Sequence, residues 1–207
     1  MRLAFLALVG CGSAAERGSG KPKTETRQVA AFSKLELVGT FQADVAVGEA
    51  QQIEISGDDN LVPLVTTTVK GDVLHIEPTK RIDPKLALVV RIHTPALAAF
   101  DSAGSNKIDL HTIRGEKFVL STSGSAEVDA NGATTQLELH ASGSARIDAT
   151  HVQAQRATVA LSGSGEIAVN ASELLDVQIS GAGTVRYAGT PREVRKSISG
   201  SGRLEAR

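Results

Sequence analysis

Aromatic side chains are nearly missing from this chain: tryptophan is absent, tyrosine occurs once and phenylalanine five times in 207 residues. Globular α/β enzymes usually pack more aromatics, so the interior here must be filled by Val, Ile, Leu and Ala, which suits a narrow stack of sheets. Aromatic platforms for stacking on sugars are nearly absent for the same reason. Cysteine occurs once, so no intrachain disulfide can form. An excess of one charge is also lacking: 22 basic residues against 23 acidic ones leave a net charge of -1 with no basic block, which excludes a nucleic-acid footprint. No apolar run reaches the length that crosses a bilayer as a helix.

Glycine, by contrast, numbers 20, and much of it is periodic. Ala103-Gly104-Ser105, Ser123-Gly124-Ser125, Ser142-Gly143-Ser144, Ser162-Gly163-Ser164, Ser180-Gly181-Ala182 and Ser199-Gly200-Ser201 place central glycines 20, 19, 20, 18 and 19 residues apart. That spacing marks a chain built from one stacked supersecondary unit. Four residues after the glycines stand Ile108, Val128, Ile147, Ile167, Val185 and Leu204. Four before stand Phe100, Leu120, Leu139, Val159, Val177 and, as the charged exception, Lys196. Six after come Leu110, Ala130, Ala149, Val169, Tyr187 and Ala206. Such columns imply parallel strands stacked in register at ~4.8 Å. The implied fold is an all-β, right-handed parallel β-helix, or β-solenoid, of ~19-residue rungs, the hand following from the rule for parallel crossovers. The glycine is expected at an inward corner where a side chain would collide with its stacked neighbours. Residues such as Asn131 to Gln136 and Asn170 to Glu173 read as polar return loops. Outside, Lys107, Glu127, Arg146, Glu166, Thr184 and Arg203 form a column in which opposite charges alternate and set register.

The regular rungs cover 97–207, and a divergent β region precedes them over 29–96. Leu35, Leu37, Gly39, Phe41, Ala43, Val45 and Val47 alternate with polar residues as a strand. Ile53, Ile55 and Gly57 read as a second, divergent copy of the unit, 18 residues after Gly39. Asp59 to Val65 suggests one helical turn, since Asp and Asn favour caps and Pro63 fits an early position. Thr66–Val69 and Val73–Ile76 read as strands joined at Gly71-Asp72, Lys80–Pro84 as loop, and Leu86 to Ile92 as a further strand.

At the amino terminus, Arg2, an apolar run from Leu3 to Val9 and the box Leu8-Val9-Gly10-Cys11 resemble a bacterial lipoprotein signal over residues 1–10, with Cys11 as the lipidated residue. Residues 11–28 are small, polar and charged and read as a flexible tether. A lipid anchor of several acyl chains would hold the protein to a membrane stably.

The recurring Ser-Gly-Ser-Gly turn followed by a charged residue and Ile or Val, with Phe32-Ser33-Lys34-Leu35-Glu36-Leu37 and Ile55-Ser56-Gly57-Asp58-Asp59-Asn60-Leu61, resembles the bacterial family of auto-transporter adhesins with a head GIN domain, over 29–207. The resemblance implies a right-handed parallel β-helix similar to pectin lyases, an envelope location at the outer membrane, periplasmic or surface-exposed, and an adhesive role. It carries over no catalytic residue.

The residues themselves offer few candidates for chemistry. Gly163-Ser164-Gly165 and Gly181-Ala182-Gly183 lack the following helix that a phosphate loop needs. Asp109, Asp129 and Asp148 stack as three carboxylates that could meet Ca²⁺, but no neighbouring loop supplies the six or more oxygens it wants, and the column reads as a solvated face relieved by Lys107 and Arg146. His75, His93, His111, His140 and His151 read as surface residues, and no histidine recurs beside a serine to serve as its base. The expectation is therefore no catalytic residue, no cofactor and no metal site. The function expected is a non-enzymatic envelope lipoprotein, an adhesin or cell-surface scaffold presenting a polar Ser/Gly-rich face. Its partners would be the membrane through a lipid anchor, a protein or surface glycan, and a second copy of itself. The alternative is a carbohydrate-active, polysaccharide lyase-like envelope enzyme.

Overall fold

The computed structural model describes residues 14–207, so the signal-like segment 1–10 and Cys11 lie outside the described residues. The first half of the chain forms β1 (Glu16–Arg17), β2 (Pro22–Arg27), β3 (Lys34–Gly39), β4 (Gln42–Val47), β5 (Gln52–Asp58), a 3-10 turn at Val62–Leu64, β6 (Val65–Lys70), β7 (Val73–Pro78), β8 (Ile82–Asp83) and β9 (Val89–Thr94). The second half forms β10 (Ala99–Gly104), β11 (Lys107–Ile113), β12 (Lys117–Gly124), β13 (Glu127–Gly143), β14 (Arg146–Gly163), β15 (Glu166–Gly181), β16 (Thr184–Ala188), β17 (Glu193–Gly200) and β18 (Arg203–Ala206).

These strands wind into a parallel β-solenoid whose rungs are in register from glycine to glycine. Gly39 pairs with Gly104, then Gly104 with Gly124, Gly124 with Gly143, Gly143 with Gly163, Gly163 with Gly181 and Gly181 with Gly200. Strands before the glycines make one sheet and strands after them another. Val128, Ile147 and Ile167 are successive partners in the second sheet and are at most 1% exposed. Leu120, Leu139, Val159 and Val177 are fully buried in the first. Burial of each such side chain is worth ~1.5–3 kcal/mol, so these dry columns hold the stack.

The Gly39 rung lies directly beneath the Gly104 rung, and the chain between them forms the base. There β5 runs antiparallel to both β2 and β9, and β6 and β7 form a hairpin whose β7 lies under β3. Gly57 is thus not a corner. It sits in extended backbone between antiparallel strands, where a Cβ would come within 2.6 Å of Leu88 Cδ2. The expected helical turn is the 3-10 turn, with Pro63 inside it.

Lys80–Pro84, read as loop, contains the short strand β8, and three further expectations are corrected. Residues 16–27, read as part of a flexible tether, are held in two strands: β1 pairs with β8, and β2 forms a six-residue antiparallel ladder with β5. Polar strands such as Pro22–Arg27 carry no apolar period, because backbone hydrogen bonds rather than a buried face hold them. Secondly, Asn131 to Gln136 and Asn170 to Glu173 are continuous strand within β13 and β15, and Asn131, Gly132, Ala133 and Thr134 pair with His151, Val152, Gln153 and Ala154. The middle rungs therefore have a third β face. Thirdly, the corner glycines face outward, exposed or half-buried. From Gly104 to Gly200 they take φ of 105° to 122°, and an added Cβ would lie 2.1–2.6 Å from the carbonyl oxygen of the glycine one rung below. That oxygen also accepts the amide of the residue after the corner, as from Ser144 to Gly124 at 2.9 Å. Left-handed φ and a stacked carbonyl, not an inward collision, require glycine here.

Inside the corner two columns trade volume along the stack. Two residues after the glycines come Phe41, Asn106, Ala126, Ala145, Gly165 and Gly183, while two before come Leu37, Ser102, Thr122, Ala141, Leu161 and Ile179. From the Ala145 rung upward one shrinks as the other grows, Ala145 giving way to Gly165 and Gly183 while Ala141 gives way to Leu161 and Ile179, and a Cβ on Gly183 would meet Leu161 Cδ2 at 2.4 Å. In the lower rungs Asn106 fills the space with hydrogen bonds, donating to Ser102 Oγ at 2.9 Å and accepting from the Phe41 amide at 2.9 Å.

Candidate functional site: a serine-lined groove along the stack

Because side chains alternate, the first and third residues before each glycine face solvent, and stacking turns them into two ladders. The first is Ala103, Ser123, Ser142, Ser162, Ser180 and Ser199; the second is Glu36, Asp101, Ser121, His140, Ala160, Gln178 and Ser197. Small residues in both leave a groove of about 670 Å³ that crosses the rungs from Glu36 to Ser199. At ~4.8 Å per strand it repeats a hydroxyl or short polar group at nearly every step. Its lower end is acidic, with Glu36 beside Asp101 and His75 Nδ1 2.6 Å from Glu36.

Register also brings together residues that are distant in sequence. Asp101, Ser121 and His140 occupy consecutive strands, so a serine does have a histidine neighbour, contrary to the expectation from sequence. Serine lies between the other two, however, and Asp101 is two strands, or ~10 Å, from His140. A nucleophilic triad needs the imidazole in the middle, oriented by the carboxylate.

The acidic column is longer than the sequence suggested. Asp44 pairs with Asp109, giving four stacked aspartates, Asp44, Asp109, Asp129 and Asp148, bounded by Arg91 and, beyond Ala168, Arg186. Asp44 was hidden because its rung lies 65 residues back from Gly104 in the chain. His111 places Nε2 3.4 Å from Asp44 Oδ1, and Asn131 Nδ2 lies 3.2 Å from His111 Nδ1. Asn131 also accepts the amide of Thr112, which stands at φ 60°. The imidazole thus braces a strained bulge. Partial burial pushes the Asp148 carboxyl pKa up, but the hydroxyl and amide of Thr150 outweigh it and leave the group below its ordinary value. Among the described residues, no three His, Cys, Asp or Glu side chains are grouped to hold a metal ion. On the neighbouring column Lys107 meets Glu127 at 4.0 Å and Arg146 meets Glu166 at 3.4 Å, as expected, while Arg186 reaches Glu166 from the aspartate column.

Comparison with known proteins agrees with this architecture. The family described as putative auto-transporter adhesin, head GIN domain, matches residues 31–191. A putative adhesin from Bacteroides fragilis superimposes with a TM-score of 0.65 at 22% identity, covering 92% of this chain and 99% of that one. A putative lipid binding protein from Parabacteroides distasonis gives 0.60 at 21% identity, covering 94% and 100%. A putative adhesin from the same species gives 0.50 at 20%, again covering 94% and 100%. No curated protein matches.

Proposed function

We propose that this chain, which belongs to the putative auto-transporter adhesin, head GIN domain family, is a non-enzymatic envelope protein, held to the membrane by a lipid on Cys11, whose solenoid offers its serine-lined groove to a partner at the cell surface. The groove carries this reading: it is open, runs the height of the regular stack and is lined by short hydroxyl side chains. Short serines lose little rotamer freedom on contact, so an extended partner laid along the ladder keeps most of its hydrogen-bond energy. The lipid anchor is supported by the Leu8-Val9-Gly10-Cys11 box.

The test has two parts. Protease added to intact cells should remove the head, and cells carrying Ala160→Arg, which fills the groove floor on an outward position, should lose retention on the surfaces to which wild-type cells adhere. A head protected in intact cells, or unchanged retention of the variant, would contradict an adhesive role. Incubating the purified chain with uronate polymers addresses the lyase-like alternative, since unsaturated product would establish turnover.

A further inference from the structure

The segment that follows Cys11 is clasped to the base of the solenoid by three consecutive side chains. Asp58, with no exposed surface, accepts the amides of Gly20 at 2.6 Å, Lys85 at 2.9 Å and Leu86 at 3.0 Å. Asp59 accepts the Ser19 hydroxyl at 2.5 Å, and its own amide donates to the Lys21 carbonyl at 2.8 Å. Asn60 accepts the Ser19 amide at 2.9 Å and donates to the Arg17 carbonyl at 2.9 Å. Glycine is needed at 18 for this closeness, since a Cβ there would lie 2.3 Å from Asp58 Oδ2. On the outer side, the Glu16 and Gly18 amides donate to Arg81 and Asp83, and Lys80 reaches Glu16 at 2.9 Å.

These contacts fix where the anchored end of the chain leaves the fold. The strap pairs with β8, which connects β7 and β9 of the base, and continues into β2, the outermost strand at that end of its sheet. Between Cys11 and Glu16 the chain can reach at most about 18 Å at ~3.3–3.6 Å per residue. In the opposite direction the sheet climbs through β5, β9, β4, β11, β13, β14, β15 and β16 to β18. At ~4.8 Å per strand that is about 40 Å.

We infer that the base of the solenoid is a bilayer-facing surface: the Asp58-Asp59-Asn60 clasp holds the β2 edge and the 3-10 turn against the lipid, so that the stack stands upright with β17 and β18 outermost. The inference rests on the lipid anchor at Cys11. The groove then runs along the membrane normal, and its upper end, at Gln178 and Ser197, is the part a partner on another surface meets first. The last rung carries Arg195, Lys196, Arg203 and Arg207 with unpaired edges, and Val194 and Ile198 are 41% and 38% exposed there. Inward charge at such an edge opposes further strand addition.

The chain has one thiol and no tryptophan, which makes the inference measurable. The full chain, coupled at Cys11 to a maleimide-bearing lipid, is bound to phosphatidylcholine vesicles containing a dansyl-headgroup lipid. Energy transfer is then read from Thr26→Trp at the base and, separately, from Ile198→Trp at the last rung. Transfer from the base should exceed that from the last rung several-fold, and the two should converge when Ser19→Ala and Asn60→Ala open the clasp while leaving buried Asp58 in place. Equal transfer with the clasp intact, stronger transfer from residue 198, or a difference that survives opening of the clasp would overturn it. The lipid is supplied chemically, so this outcome does not depend on lipidation in the cell. That is read independently, from the mass of Cys11 in the membrane fraction.

Discussion

At the residue scale, the corner is where single atoms decide the outcome. Gly143 holds φ 107°, and a methyl on it would lie 2.6 Å from the Gly124 carbonyl oxygen, whereas the hydroxyl of Ser144 beside it faces solvent. Gly143→Ala should cost more than the ~1–3 kcal/mol of a strained backbone position, and Ser144→Ala close to nothing, as read from denaturant midpoints. Thr122 sits in the interior, 4% exposed, and its hydroxyl has no hydrogen-bond partner. Thr122→Val should therefore raise stability, by about 1 kcal/mol if the desolvated hydroxyl is simply removed. Asp58 differs in being fully satisfied. Burial pushes its pKa up, yet the amides of Leu86, Gly20 and Lys85 hold it below the ordinary carboxylate value. A carboxylate with a depressed folded pKa contributes stability above its unfolded value of ~3.9 and loses that contribution as pH falls toward the folded value. Hydrogen exchange at Gly20, Lys85 and Leu86 should thus accelerate below about pH 4 relative to the solenoid core, and Asp58→Asn should remove the pH dependence.

At the scale of elements, the rungs were legible in the sequence, and so were the 3-10 turn and the strands β6, β7 and β9 of the base, but the way the base strands pair was not. Alternation combined with a 19-residue repeat identifies stacked strands, because only in-register parallel stacking sets Leu120 on Leu139 on Val159. The same alternation cannot tell a parallel rung from an antiparallel strand, which is why Ile53, Ile55 and Gly57 read as a rung although β5 lies between β2 and β9. The strap around Ser19 was opaque for another reason: its partners, Asp58, Asp59 and Asn60, lie about forty residues away and bind the backbone amides of Ser19 and Gly20 and the Ser19 hydroxyl. The groove was partly legible. Its serines stood out beside the glycines, whereas Glu36, Asp101 and His140 join it only through lateral register. The paired volumes inside the corner can be tested directly. Gly183→Ala should destabilise the stack by overpacking against Leu161, by ~1–3 kcal/mol, and Leu161→Ala should recover part of that loss in a double-mutant cycle.

For the whole molecule, stability is a sum of neighbouring interfaces, because each rung touches only those above and below it. A defect in a middle rung therefore splits the stack, while a defect on its outer face leaves the dry columns intact. The central claim is that the residues on the Ile147 side of β14 hold the fold and those on the Arg146 side only tune it. Thermal melts of Ile147→Asp and Arg146→Glu, taken side by side, test this most directly. Ile147→Asp places an unpaired carboxylate where 1% of the side chain is exposed and should cost more than ~4 kcal/mol. Arg146→Glu sets like charges beside Glu127 and Glu166 at a cost of about 1 kcal/mol or less. A melt in which Arg146→Glu unfolds first, or in which Ile147→Asp melts like wild type, would contradict it.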